Sequence, residues 1–177
     1  MSTMTACARP GGDTLDTAER AAIADTLQRM IVSAYDITKP GDAVGRMMSL
    51  YPRSGDVVSA SGGRVSVSRD SLESGIRAFW QYVGSNMRDP KWQWDPMHVD
   101  VLSRNAAVVT ATYRVPHLTP RGMPHVIAGA VTQVFVRRDG RWVVVQEHLS
   151  DVPAAAMDSS AGADSMPGMD MSAGHQR

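Results

Sequence analysis

The sequence is short of the residues that mark several protein classes. Its one cysteine, Cys7, sits in the Gly/Pro-flanked stretch "MTACARPGG", so no internal disulfide can form and no packed cysteine nucleophile is offered. Neither charge is in excess: 18 Lys+Arg balance 18 Asp+Glu. That balance argues against nucleic acid or an anionic membrane as partner, since both call for a basic surface. No apolar run approaches the roughly 20 residues that span a bilayer. With 177 residues the chain can build one domain with a real core, but hardly two. "MTAC" at 4–7 is similar to a lipoprotein cleavage box, but only six residues precede Cys7 and none form an apolar lead-in. As written, the chain reads as cytoplasmic; an exported lipoprotein is the alternative if the start codon is mis-assigned.

What is present falls into three parts. Residues 1–15 read as a flexible lead-in, 16–152 as one domain, and 153–177 as a disordered Met/Ser/Gly-rich tail with too little apolar surface to pack. From Asp16 the apolar spacing is helical, with Ala22, Ile23, Leu27, Met30, Ile31, Ala34 and Tyr35 on one stripe. Asp16 or Thr17 caps that helix, and Lys39-Pro40-Gly41 ends it. A short helix carries Val44, Met47, Met48 and Leu50, and Pro52 stops it. "DVVSASGGRVSVS" reads as two strands about a Gly-Gly turn, and "SLESGIRAFWQYVGSNM" as a third helix capped by Ser68 or Asp70. Beyond Asp89-Pro90 the pattern is nearly all strand. "KWQWDPMHVDVLS", "AAVVTATYRVPH", "HVIAGAVTQVFVRR" and "RWVVVQEHLS" form a meander. Helices first and a meander after is an α+β pattern, with helices on one face of a sheet.

The last strand is the most informative. Asp139-Gly140 is a two-residue turn signal that sets a register of Arg138 with Arg141, Phe135 with Val144, Gln133 with Gln146 and Val131 with His148. Simple alternation then puts Trp142, Val144, Gln146, His148 and Ser150 on one face, and Val143, Val145, Glu147 and Leu149 on the other. The first face has an apolar floor and a polar band, as a small-molecule pocket requires. The plain alternative is a structural histidine at a sheet rim.

In order and spacing, "GD" at 41–42, "IRAFW" at 76–80 and Gly-x-Trp at 140–142 resemble the SnoaL-like branch of the nuclear transport factor 2-like superfamily, over residues 16–152. The resemblance implies a cone-shaped, curved antiparallel (mixed) sheet wrapped around a cavity, closed by three helices, often in a homodimer. It does not settle function, because the superfamily holds cyclases, an isomerase, dehydratases and non-catalytic binding proteins. For a ketosteroid isomerase, Tyr35 matches the required tyrosine. The two carboxylate positions fall near Ser61 and near Val131 or Thr132, which are not acids. For scytalone dehydratase, "SAYDI" offers Tyr35 and Asp36 and "YRVPHL" offers His117. The second histidine position falls on Trp92, so His98 or His148 would have to substitute.

These readings give a candidate site. His117 or His148 would move a proton, Asp36 would orient or polarise it, and Tyr35 and Tyr113 would hold a substrate oxygen. Trp80, Trp92, Trp94, His98, Gln133, Phe135 and Gln146 would line the pocket. For Asp36 the alternative is a solvated residue near a helix end; for His117 it is a rim histidine facing water; for Trp80 it is a core residue. His98 and Asp100 share a strand face but lack a third ligand, so no metal site is expected, and no cofactor. Met166, Met169, Met171 and His175 are soft ligands of the kind copper(I) prefers, set against the reading of 153–177 as a flexible tail. The expected function is cofactor-free acid/base chemistry (dehydration, isomerisation or cyclisation) on a small, largely apolar molecule. The rival is a non-catalytic ligand-binding or dimeric assembly module.

Overall fold

The structure, a computed structural model, describes residues 15–152. Helix α1 (Thr17–Ala34) starts at a capping box in which Asp16 accepts from the Glu19 backbone and Glu19 from that of Asp16. Helix α2 (Ala43–Met48) is capped by Asp42, and α3 (Arg69–Tyr82) by Ser68. The third helix stops at Tyr82, short of the expected Met87, because the chain tightens into a 3-10 turn at Gly84–Asn86. An alanine Cβ at Gly84 would lie 2.1 Å from the Trp80 ring, so glycine here lets the indole lie against the turn.

Seven strands follow the same chain order: β1 (Val58–Ser61), β2 (Arg64–Ser66), β3 (Gln93–Trp94), β4 (His98–Ser103), β5 (Ala106–Leu118), β6 (Pro124–Arg138) and β7 (Arg141–Asp151). The stretch expected as one strand over 91–103 is two, broken at Asp95-Pro96 where proline cannot donate to the ladder. The sheet order is β2-β1-β7-β6-β5-β3, with β4 also on β5. All pairings are antiparallel except β1 with β7, so the sheet is mixed and curved, the expected α+β cone with three helices. Asp139 (φ 50°) and Gly140 (φ 75°) both take the left-handed conformation, as a primed two-residue turn requires.

The core lies between α1, α2 and the sheet, with Leu27, Ile31, Met47, Phe135, Trp142 and Val144 packed together. Arg20 and Gln28 of α1 donate to the carbonyls of Val101 and Met97 and tie the helix along β4. No helix of the described residues is long and apolar enough to cross a membrane. The copper(I) reading of Met166, Met169, Met171 and His175 lies outside the described residues.

The register between β6 and β7 changes once. Arg138 pairs with Arg141 and Phe135 with Val144, as expected, but then Val134 pairs with Gln146, Gln133 with Glu147 and Thr132 with His148. Val145 is left without an opposite number, a β-bulge. At the same point the Val144 N–H donates to the Leu50 carbonyl, 2.8 Å away, so the end of α2 holds β7 where the ladder slips. One extra residue turns every later side chain to the other face. Glu147 therefore points inward and is 3 % exposed, while Gln146, His148 and Ser150 lie exposed on the outside. The expected pairs Gln133–Gln146 and Val131–His148 do not form.

Candidate functional site

A cavity of about 540 Å³ opens between α3, the β1–β2 hairpin and the inner face of the sheet. Its walls are mostly apolar: Ile37, Met47, Leu72, Ile76, Phe79, Trp80, Trp92, Val115, Ile127 and Leu149. Its polar groups are few and grouped. Tyr35, Tyr51, Ser59 and Glu147 form one set; Tyr113 and Asp151 form another; Ser61, Arg64 and Ser66 come from the hairpin and Ser71 from α3. Glu147, Leu149 and Asp151 alternate along β7, so the two carboxylates stand four residues apart on one face, a separation of about 13 Å along the strand.

Glu147 is tied down by three donors. The Tyr51 hydroxyl donates to Oε2, Ser59 Oγ donates to Oε1 at 2.9 Å, and Gln133 Nε2 reaches Oε2 at 3.5 Å. Tyr35 is buried beside this group, with Tyr51, Gln133 and Glu147 all acting on its phenol. Burial pushes the Tyr35 phenol well above its ordinary value, and the charge of Glu147 adds to this. Burial raises Tyr51 as well, with Tyr35 and Glu147 beside it. Both are therefore neutral donors at any pH near 7.

Tyr113 reaches the second carboxylate across an intervening strand. In register it stands opposite Gly129, which stands opposite Asp151. With no side chain at Gly129 the phenol lies over β6 and donates to Asp151 Oδ1 at 2.7 Å. Burial and then Asp151 raise the Tyr113 phenol. Tyr35, Trp92, Trp94 and Tyr113 make one aromatic cluster, with centroid separations from 4.7 Å (Tyr35–Trp92) to 6.0 Å (Trp94–Tyr113). The indole N–H groups of Trp80 and Trp92, both on the cavity wall, have no hydrogen-bond partner among the described residues.

Of the candidates read from sequence, Tyr35, Tyr113, Trp80 and Trp92 line this cavity. Trp94, Gln133 and Phe135 point inward but stand behind the lining. His148 and Gln146 are outside because of the bulge. His98 is exposed: it pairs with Thr110 on the outward side of β4, whereas its neighbours Val99 and Val101 turn inward. Asp36 is neither in the cavity nor beside a histidine. It turns back on its own loop, accepting from Thr38 N (3.2 Å) and Thr38 Oγ1 (2.6 Å), with Lys39 Nζ at 3.3 Å. Those bonds, the Thr38 hydroxyl first, hold its carboxyl below the usual range, opposite to the raised value expected of a base. His117 shares the inner face of β5 with Tyr113 and Val115, as alternation predicts, but lies beyond the lining, against His125. Leu149, expected on the outer face, lines the cavity.

Glu147, Tyr51, Ser59 and Asp151 were not among the expected site residues. A glutamate inside an otherwise apolar strand was the available signal, but its face depends on the bulge. The residue type at Val145 does not differ from its neighbours.

Curved sheet, three helices and an apolar-walled cavity now stand together with a family match. The sequence matches the model of the SnoaL-like domain over residues 45–155, more than half of its length. The chain belongs to the SnoaL-like family. No curated protein matches it. Among solved structures, this SnoaL-like chain is similar to a nuclear transport factor 2-like protein of unknown function from Shewanella oneidensis (18 % identity, TM-score 0.61, covering 73 % of this chain and 99 % of the other). It is also similar to a scytalone dehydratase-like protein from Novosphingobium aromaticivorans (16 %, 0.61, 78 % and 89 %). A third is the association domain of CaMKII from C. elegans (16 %, 0.55, 75 % and 95 %). At these identities the likeness is one of fold.

Proposed function

We propose that this SnoaL-like domain binds a small, largely apolar molecule carrying a carbonyl or hydroxyl, and that Glu147 moves a proton on it without a cofactor. The observation that carries this reading is a carboxylate deep in an aromatic-walled cavity, ringed by neutral phenols. The volume suits one small organic molecule. A carboxylate offers about four acceptor positions, and three are engaged, which leaves one for a substrate C–H or O–H. Tyr35 would donate to the oxygen on which negative charge develops while Tyr51 stays on Glu147, so an enolisation, isomerisation or cyclisation fits best. Histidine has no part in this version of the chemistry.

The test is deuterium wash-in at the α-carbon of an apolar cyclic ketone such as 2-decalone in D2O, followed by NMR, beside a thermal-shift titration with the same ketone. Exchange should require the protein and disappear in Glu147→Gln, while the thermal shift persists. Exchange that is unchanged in Glu147→Gln would remove Glu147 as the base. The second reading, a binding module without turnover, draws on the same three donors, since they hold Glu147 as a structural acceptor would be held. It predicts a thermal shift with no exchange in either protein.

A homodimer belongs to this proposal. Val126, Ala128, Ala130, Val134 and Val136 form an outward row on β6 that is only half covered, and a second copy would cover it.

A further inference from the structure

We propose that His117 and His125 form a zinc(II) site at the rim of the cavity. The two residues stand directly opposite each other across β5 and β6. Their rung is two residues out from Val115–Ile127, whose side chains line the cavity, a rise of about 6.7 Å along the strand. The site does not depend on the role proposed for Glu147.

Three features point to a metal. The first is the tautomer. His117 Nδ1 lies 2.9 Å from the Val115 carbonyl, which can only accept, so Nδ1 carries the proton and Nε2 presents its lone pair. A backbone carbonyl on the far nitrogen is the arrangement that orients metal-binding histidines. The second is distance. That lone pair faces His125 Nδ1 at 3.3 Å. Without a metal this contact is a hydrogen bond donated by His125 Nδ1–H, and zinc would replace that proton; the nitrogen–nitrogen distance also fits the ion. It equals the edge of a tetrahedron with zinc–nitrogen bonds of about 2.0–2.1 Å, which is roughly 3.3–3.4 Å. A right-angle pair on square-planar copper(II) would need about 2.9 Å. The third is access: His125 is exposed and His117 only half-buried, so an ion can enter and water can complete its shell. No group of three or more His, Cys, Asp or Glu converges among the described residues, so the site has two protein ligands and open positions. Such a site holds zinc more weakly than the four protein ligands of a structural zinc would.

The experiment is a zinc titration of the metal-stripped full chain against a chromogenic chelator, repeated in a C7S/H175A background to remove other soft or imidazole ligands. One equivalent should bind in both. His125→Ala and His117→Gln should each weaken binding by at least about tenfold, a loss already typical of a mere supporting partner. Circular-dichroism melts would confirm that both variants fold; His125, being exposed, is the safer one. Imidazole 15N–1H correlation spectra give a readout that does not depend on affinity: apo His117 should show the Nδ1–H tautomer, and its Nε2 should shift with zinc. Failure to bind one equivalent, binding that survives His125→Ala, loss of binding in C7S/H175A, or an Nε2–H tautomer for His117 would each overturn the proposal.

Discussion

Gln133 and Glu147 face each other across β6 and β7, and both side chains are buried. The carboxylate takes Gln133 Nε2 on one side and the hydroxyls of Tyr51 and Ser59 on the other. Three elements distant in sequence (the segment after α2, β1 and the last hairpin) therefore meet at one group.

Removing that group should cost stability as well as function. Glu147→Ala leaves three buried donors without this acceptor, at about 1–3 kcal/mol for each one that finds no other partner. Glu147→Gln keeps the shape and one acceptor oxygen, so its loss should be smaller. Urea denaturation of the two variants should rank Ala below Gln, and Gln close to wild type.

His148→Ala and Gln146→Ala should do very little. Both side chains are exposed on the outward face of β7, and surface changes of this kind stay within about 0.5 kcal/mol. Ketone thermal shifts should be the same as for wild type. A clear loss of binding in His148→Ala would mean that the outer face carries a site of its own.

Two glycines on the cavity side should respond in opposite directions. At Gly129 an alanine Cβ would lie 2.3 Å from the Ser150 carbonyl and 2.7 Å from Tyr113 Oη, so Gly129→Ala displaces the phenol from Asp151 and overpacks, at about 1–3 kcal/mol. Gly75, inside α3, meets nothing within 4 Å, so Gly75→Ala should stabilise by about 0.5–1 kcal/mol. Thermal melts of the two variants should move to opposite sides of wild type.

Alkali should unfold the protein through its tyrosines. Tyr35, Tyr51 and Tyr113 all have folded pKa values raised above the unfolded value of about 10, burial being the first cause in each. The phenol is neutral when protonated, so the contribution to stability is whole below about pH 10. Above that pH the unfolded chain gives up protons that the folded chain keeps, and stability falls. Absorbance of phenolate near 295 nm should show these three of the four tyrosines ionising only with the loss of near-UV circular dichroism. Their ionisation in a folded protein at pH 10 would contradict the buried geometry.

Much of the architecture is written in local sequence. Helical spacing from Asp16, the Gly-Gly turn at 62–63 and Asp139-Gly140 act within a few residues, and period-2 alternation over β5 put Tyr113, Val115 and His117 on the inner face. Side chains that keep to an uninterrupted ladder were legible for this reason. The face of Glu147 was not. It is set by Val145, a residue no different in kind from Val143 and Val144, and by the donation of the Val144 N–H to Leu50 more than ninety positions away. Likewise Asp36 is suited to catalysis by residue type, yet Thr38 and Lys39 claim it locally. Sequence alone determined most of the elements, the turn and the α+β pattern, and the resemblance to the family implied the cone. Which face of β7 Glu147 takes was decided where the ladder slips, beside a backbone contact from Val144 to the distant Leu50, and that contact exists only once the chain has folded.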